Sequence, residues 1–310
     1  MKQASDAWVE YQGQKRIITN LKMYVQSAMI LQKPLDHTLI YGQSGMGKTT
    51  LAKIIAKVMN VKIHVLNGAS LQKPSDIISV LTTLKPNEII FIDEIHAIST
   101  QVSEILYPVL DEGKISLIIG QEYNAKNIQI NLPPFTLITA TTELEQLASP
   151  FLNRFPIYLG LDSYQSEEIG LIIVRYAQTI NLPLNLTTAI FLGSYARKTP
   201  RIAINLTKRI NDFYLTGKIK NLNDQAKLQQ ILHQLGFYEQ GLTGDDLRYL
   251  QVLETSSPLG LENITQRLNI PWKMIKSMIE PYLIGEGYVI RTNKGRMLTA
   301  KGKALIKKVE

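Results

Sequence analysis

The stretch GQSGMGKT, Gly42 to Thr49, decides the fold. It fits the pattern G-x-x-x-x-G-K-[ST], which cradles phosphates on a loop between a strand and a helix. HTLIY before it reads as a strand, and TTLAKIIAKVM after it reads as a helix, so the context fits the pattern. Gly42, Gly45 and Gly47 let the backbone curl, so that successive N–H groups face an anion. Lys48 places a compact positive charge on the terminal phosphates. Thr49 offers a hydroxyl to Mg²⁺, and Thr50 continues the binding turn. The chain is therefore expected to bind ATP with Mg²⁺.

A second signal lies downstream. IIFIDEIH, Ile89 to His96, is an apolar strand ending in two acids. Asp93 at its tip can hold the hydration shell of Mg²⁺, and Glu94 can orient or deprotonate a water. A lone acid pair is commonly just a surface strand end; its distance from the phosphate loop makes it a catalytic candidate. TLITATT closes a strand at Thr141 and Thr142, where a hydroxyl can reach a γ-phosphate. SPFLNRF places Ser149 as a helix N-cap and Pro150 in its first turn, with Arg154 at the helix end. His96 reads as a hydrogen-bonding residue rather than a metal ligand.

Strand-like runs alternate with helical patterns through the first half, which argues for a mostly parallel sheet flanked by helices. Residues 114–132 break that rhythm as two alternating runs around Gln121–Asn127, an inserted hairpin. From Ser163 to about Leu235 the strands give way to amphipathic helices. From Asp245 the pattern suggests a small unit of three helices and a terminal hairpin, GYVIRTNKGR, Gly287 to Arg296.

The 310 residues are 45% hydrophobic and 19% charged, ordinary for a globular chain. There is no cysteine, which excludes disulfides and thiolate metal sites. No apolar run approaches the ~20 residues of a membrane span, and the first residues lack an apolar signal core. The cytoplasm is the expected location, with no membrane partner. Of the net charge of +8, most sits at one end: residues 271–310 hold nine Lys/Arg and three Asp/Glu, 9 − 3 = +6. A basic terminal unit is the footprint of a nucleic-acid binder or of a solvated surface.

These residues together resemble the RuvB family. YGQSGMGKTTLA, FIDEIHAIS, EILYPVL, NLPPFTLITATT, SPFLNRF, TPRIA and EPYLIGEGYVIRTNKGR occur in the family's order, from about Gln14 to Thr299. The resemblance implies an α/β AAA+ P-loop ATPase lobe over 1–162, with the inserted hairpin at 114–131. It further implies a helical lid over 163–235 and a winged-helix head over 236–310. It implies a motor that drives branch migration of Holliday junctions, as a hexameric ring on double-stranded DNA. Thr142 matches the sensor of the γ-phosphate, and Arg154 the arginine finger that enters a neighbour's site. Arg201 in TPRIA matches the lid's sensor arginine, and Tyr164 an aromatic near the adenine. The hairpin matches the dock for a RuvA-type junction-binding partner. Arg291, Lys294 and Arg296 match a wing that touches the DNA backbone. Several positions depart from the family pattern, among them Gln43-Ser44, Asp111-Glu112-Gly113, Leu152 and Asp246-Leu247. Two other readings are another AAA+ DNA machine, such as a clamp-loader subunit or initiator, and a non-catalytic ATP-switched scaffold.

Overall fold

The computed structural model describes residues 7–119 and 126–309. They fall into two compact units, divided between Tyr164 and Gln165.

The first unit is built on a five-stranded parallel sheet in the order β2-β3-β6-β1-β7. Its strands are β1 (Thr38–Tyr41), β2 (Ile63–Asn67), β3 (Ile89–Asp93), β6 (Thr136–Thr141) and β7 (Ile157–Gly160). Strands covered on both faces should be apolar throughout rather than alternating. Ile89–Ile92 of β3 are buried accordingly, and all six residues of β6 are buried although three of them are threonines. Flanking helices are α1 (Lys15–Ile30), α2 (Lys48–Met59), α3 (Pro74–Leu81) and α4 (Thr100–Glu112). Leu39, Ile90, Ile92, Leu106, Leu137 and Phe151 belong to the core beneath α3 and α4. Gly113 ends α4 in a left-handed conformation, and the chain then enters β4 (Lys114–Ile119). β4 pairs antiparallel with β5 (Lys126–Asn131), so the inserted hairpin is present, and its tip lies outside the described residues.

In an open parallel sheet, ligands gather at the carboxyl ends of the strands. The phosphate loop follows β1, Asp93 ends β3, and Thr142 follows β6. β1 and β3 both pair with β6, so the three ends are neighbours.

The second unit opens with helices α6 (Ser166–Thr179), α7 (Leu186–Gly193), α8 (Pro200–Leu215) and α9 (Gln225–Gln234), following the short α5 (Ser149–Leu152) of the first unit. A short antiparallel pair, β8 (Phe237–Tyr238) and β9 (Leu242–Thr243), leads into α10 (Gly244–Thr255) and α11 (Leu261–Leu268). A continuous helical stretch then comprises α12 (Trp272–Met274), a π-helical turn at Ile275–Ile279 and α13 (Glu280–Gly285). The wing is β10 (Val289–Thr292) paired antiparallel with β11 (Gly295–Leu298). The chain does not stop at the hairpin. α14 (Ala300–Val309) follows, and Leu305 and Ile306 join Tyr249, Ile264, Ile279 and Tyr288 in the terminal core. Its Lys-rich sequence hides the two apolar anchors. Among the described residues, no helix is long and apolar enough to cross a membrane.

Candidate active site and nucleic-acid interface

The phosphate loop adopts the curl that its glycines permit. Gly42, Gly45 and Gly47 have φ of 145°, 83° and 97°, a region costly for other residues. Lys48 is buried, and its Nζ donates to the carbonyls of Gly42 and Gln43 at 2.7 and 3.1 Å. Thr49 Oγ1 donates to Asp93 Oδ2 at 2.9 Å, which brings the two expected Mg²⁺-holding residues together. Thr50 is exposed on the first turn of α2. Behind the loop stands a buried phenol pair. Tyr164 Oη donates to the Met46 carbonyl at 3.0 Å and lies 3.2 Å from Tyr11 Oη. Burial, and then Tyr164 beside it, hold the Tyr11 phenol well above its ordinary pKa. Tyr164 is only 1% exposed and supports the loop from beneath. A cavity of about 700 Å³ opens beside Gly42, Gln43 and Met46, walled by Tyr41, Tyr158 and Asp162.

Glu94 stands one residue past the strand in a left-handed conformation, φ 51° and ψ 55°. That region is uncommon for a non-glycine residue and is often held at functional sites. Its carboxylate is fixed by Thr142, whose backbone N–H and Oγ1 both donate to Oε2, at 3.2 and 3.0 Å. His96 Nδ1 lies 3.4 Å from the same oxygen and 2.9 Å from Thr141 Oγ1. The two threonines therefore divide their work: Thr141 faces His96, and Thr142 holds Glu94. Asp93, Glu94, Thr142, Lys48 and Thr49 thus form one constellation.

Arg154 follows α5, which begins at Ser149; the cap position is Ala148, without a side-chain bond, so Ser149 is not the cap. Pro150 nevertheless lies in the first turn, as expected. Arg154 Nε and Nη2 both donate to Asp111 Oδ2, at 3.0 and 2.6 Å, and Nη1 donates to the Pro150 carbonyl. The guanidinium also lies 4.6 Å from the centre of the Tyr107 ring. Leu152, at a departure from the family pattern, packs against the main core. Arg201 is the second residue of α8, on an exposed position.

The wing cations are not equivalent. Glu280 is fully buried at the start of α13 and accepts from Tyr249 Oη at 2.9 Å, Arg296 Nε at 2.9 Å and Arg291 Nε at 3.0 Å. Burial alone would raise its pKa, but the bonds from Arg296, Arg291 and Tyr249 outweigh it and hold the carboxyl below its ordinary range. The Arg296 side chain is 16% exposed and turned inward, whereas that of Arg291 is 52% exposed. Lys294 is exposed at the two-residue turn of the hairpin.

The model of the Holliday junction DNA helicase RuvB P-loop domain matches residues 4–161. The RuvB AAA lid domain matches 164–236, and the RuvB C-terminal winged helix domain 239–307. The chain belongs to the RuvB family. Among similar curated proteins is the Holliday junction branch migration complex subunit RuvB of Orientia tsutsugamushi, 40% identical over 94% of this chain and 90% of that protein. The RuvB of Mycoplasma genitalium is 35% identical over 95% and 94%. Among solved structures, the Thermotoga maritima RuvB Holliday junction branch migration motor matches with a TM-score of 0.80 at 33% identity, covering 96% of this chain and 95% of that one. A point mutant of the same protein gives 0.83 at 33%, covering 97% of each chain.

Against that family frame, the residues missed by sequence reasoning are Tyr11, Asp111 and Glu280. Their partners lie from 11 residues away, for Glu280 and Arg291, to 153, for Tyr11 and Tyr164, and nothing in local spacing signals them.

Proposed function

We propose that this RuvB-family chain is an ATP-driven DNA motor that moves Holliday junctions in recombination and repair. The observation that carries the reading is the constellation of Lys48, Thr49, Asp93, Glu94 and Thr142 at three adjacent strand ends. It occurs in a chain that RuvB models match along nearly its whole length.

The chemistry is phosphoryl transfer to water. The loop amides and Lys48 hold the phosphates of ATP, in the manner such loops use. Thr49 and Asp93 would hold Mg²⁺, which supplies charge neutralisation at the phosphates. Glu94 takes a proton from the attacking water as it adds to the γ-phosphorus, the bond to ADP breaks, and ADP and phosphate leave. Thr142 donates to Glu94 in the present state. In the working state we assign it to the γ-phosphate, which releases the carboxylate toward water. Arg154 supplies the positive charge to a neighbouring subunit's site, leaving Asp111 as it does so. Arg201 reports the nucleotide to the lid.

Residues 1–162 serve as the ATPase lobe, 163–235 as the lid and 236–310 as the DNA-binding head. A finger that works on a neighbour makes a head-to-tail contact, and such contacts close into rings; six subunits is our assignment. Arg291 and Lys294 meet backbone phosphates of the duplex, which give affinity without reading sequence. Arg296 contributes by fixing the wing through Glu280. The hairpin 114–131 docks a RuvA-type junction-binding partner, and the work takes place in the cytoplasm.

Steady-state ATP hydrolysis with and without duplex DNA tests the reading. Duplex-stimulated turnover is expected, and Glu94→Gln should bind ATP without turning over. Hydrolysis by Glu94→Gln at the parent rate overturns the assignment, and a chain that binds ATP but never hydrolyses it is a scaffold.

A further inference from the structure

The head carries an exposed indole that the wing does not employ. α11 ends at Leu268, Asn269 turns left-handed at φ 54°, and Trp272 opens α12 three residues later. Two helices joined by a short turn form a helix–turn–helix. The inward side is satisfied by Ile264, Leu268, Ile275 and Ile279. Trp272 is therefore not core, and it is 50% exposed. Lys276 and Lys273 bring their Nζ atoms to 5.1 and 5.8 Å from its ring centre. Beside the ring is a cavity of about 420 Å³, lined by Leu261, Glu262, Thr265, Gln266, Trp272 and Lys276.

An exposed indole beside two ammonium groups suits a ligand with flat π-faces and negative charge spaced along it. Bases stack on aromatic side chains without sequence preference, and flanking cations take the phosphates. Residues 256–279 hold three cations, Arg267, Lys273 and Lys276, against the single acid Glu262. Glu262 disfavours a phosphate at its edge of the cavity but can accept from a base amino group, and Thr265 and Gln266 offer both donors and acceptors. An acidic peptide would satisfy the lysines but would leave the indole without a stacking partner. The π-helical turn at Ile275–Ile279 follows directly, and such turns recur at functional sites. We propose that this face binds an unpaired nucleic-acid strand, one base stacked on Trp272 and its phosphates on Lys273 and Lys276. The proposal rests on the reading of the terminal segment as a DNA-binding head and adds a second contact to it, separate from the wing.

Fluorescence tests it, because the chain has two tryptophans and the other, Trp8, is buried. In full-length Trp8→Phe protein, Trp272 is the only indole. A non-self-complementary single strand of about 16 nucleotides should quench it saturably. Trp272→Ala should weaken binding of that strand, followed by a labelled oligonucleotide, about five- to a hundredfold, and Trp272→Phe should restore most of the loss. Lys276→Ala should lower the salt slope by about 0.7. No saturable quenching by the single strand overturns the proposal. Equal quenching of Trp272 by the matching duplex also overturns it, since the face would then read backbone alone. Stronger quenching by polyglutamate would mark a protein dock instead. Duplex-stimulated ATP hydrolysis in the same preparation separates the two readings. If hydrolysis persists and the indole stays silent, only this site falls; if the parent shows no duplex stimulation, the motor itself is in error.

Discussion

His37 stands at the entry to β1, its ring 5.5 Å from that of Phe135. Its Nδ1 accepts the Leu137 amide at 2.9 Å, so that nitrogen must remain unprotonated in the fold. Burial lowers its pKa from 6.5 to about 4, against the opposing pull of Asp36. Below pH 6.5 the unfolded chain therefore takes up protons that the folded chain refuses. The stability that this histidine contributes is complete above the unfolded value and declines as pH falls toward about 4. Denaturant melts across that window should show the decline, and His37→Gln should flatten it; an unchanged slope would remove His37 as its source. Arg154 raises a different question at this scale. Each guanidinium nitrogen donates within the chain, so to serve as the proposed finger Arg154 would have to exchange Asp111 for a neighbour's phosphate. Arg154→Ala is expected to cut turnover by ~10³–10⁵ while ATP binding persists. Parallel ATP-binding and hydrolysis measurements would check this, and near-parent turnover would take Arg154 out of the mechanism. The phosphate-loop residues were legible in the sequence because one short motif names them. The Asp111 partnership was not, since 43 residues separate the pair.

Among the elements, the wing shows how far spacing can be read. Alternation and Gly295 gave the hairpin, and β10 and β11 pair across a turn at Asn293-Lys294. Which arginine turns inward depends on Glu280, which the π-helical turn and α13 place beneath the wing, and spacing along the strand does not carry that. The two cations should therefore fail differently. Arg296→Ala leaves a buried carboxylate with fewer donors and should destabilise the protein by roughly 1–3 kcal/mol in denaturant melts. Lys294→Ala should leave stability alone and reduce the salt slope of duplex binding by about one. If the two effects are reversed, Arg296 is the phosphate contact and Lys294 the structural one. Because the Glu280 carboxyl is held below its ordinary range, its contribution is present above the carboxylate range and is lost in acid. Gly295 is hard to replace. Its φ is 130°, and an added Cβ would lie 2.4 Å from the Leu259 carbonyl oxygen. Gly295→Ala should shift Leu259 or the turn, and duplex binding should weaken with it.

At the scale of the whole molecule, the strand alternation was enough to foresee the parallel sheet and the helical half. It did not foresee how the helical segment and the head are joined. Arg197 donates to the Gly241 and Met278 carbonyls and pairs with buried Asp246, and its guanidinium stacks 4.6 Å from the Tyr282 ring. Lys198 reaches Glu286 at 2.6 Å. These are long-range polar contacts, invisible to periodicity, and they make Asp246 an anchor rather than a surface acid. A motor completed by its neighbour's arginine should also show specific activity that rises with protein concentration, and a flat dependence would mean each chain is self-sufficient. The most direct measurement is the fate of a labelled synthetic four-way junction incubated with the purified chain, ATP and a RuvA-type partner. ATP-dependent conversion of the junction into two forked duplexes is expected, with Arg154→Ala inactive. An intact junction beside full-rate ATP hydrolysis that ignores DNA would contradict it.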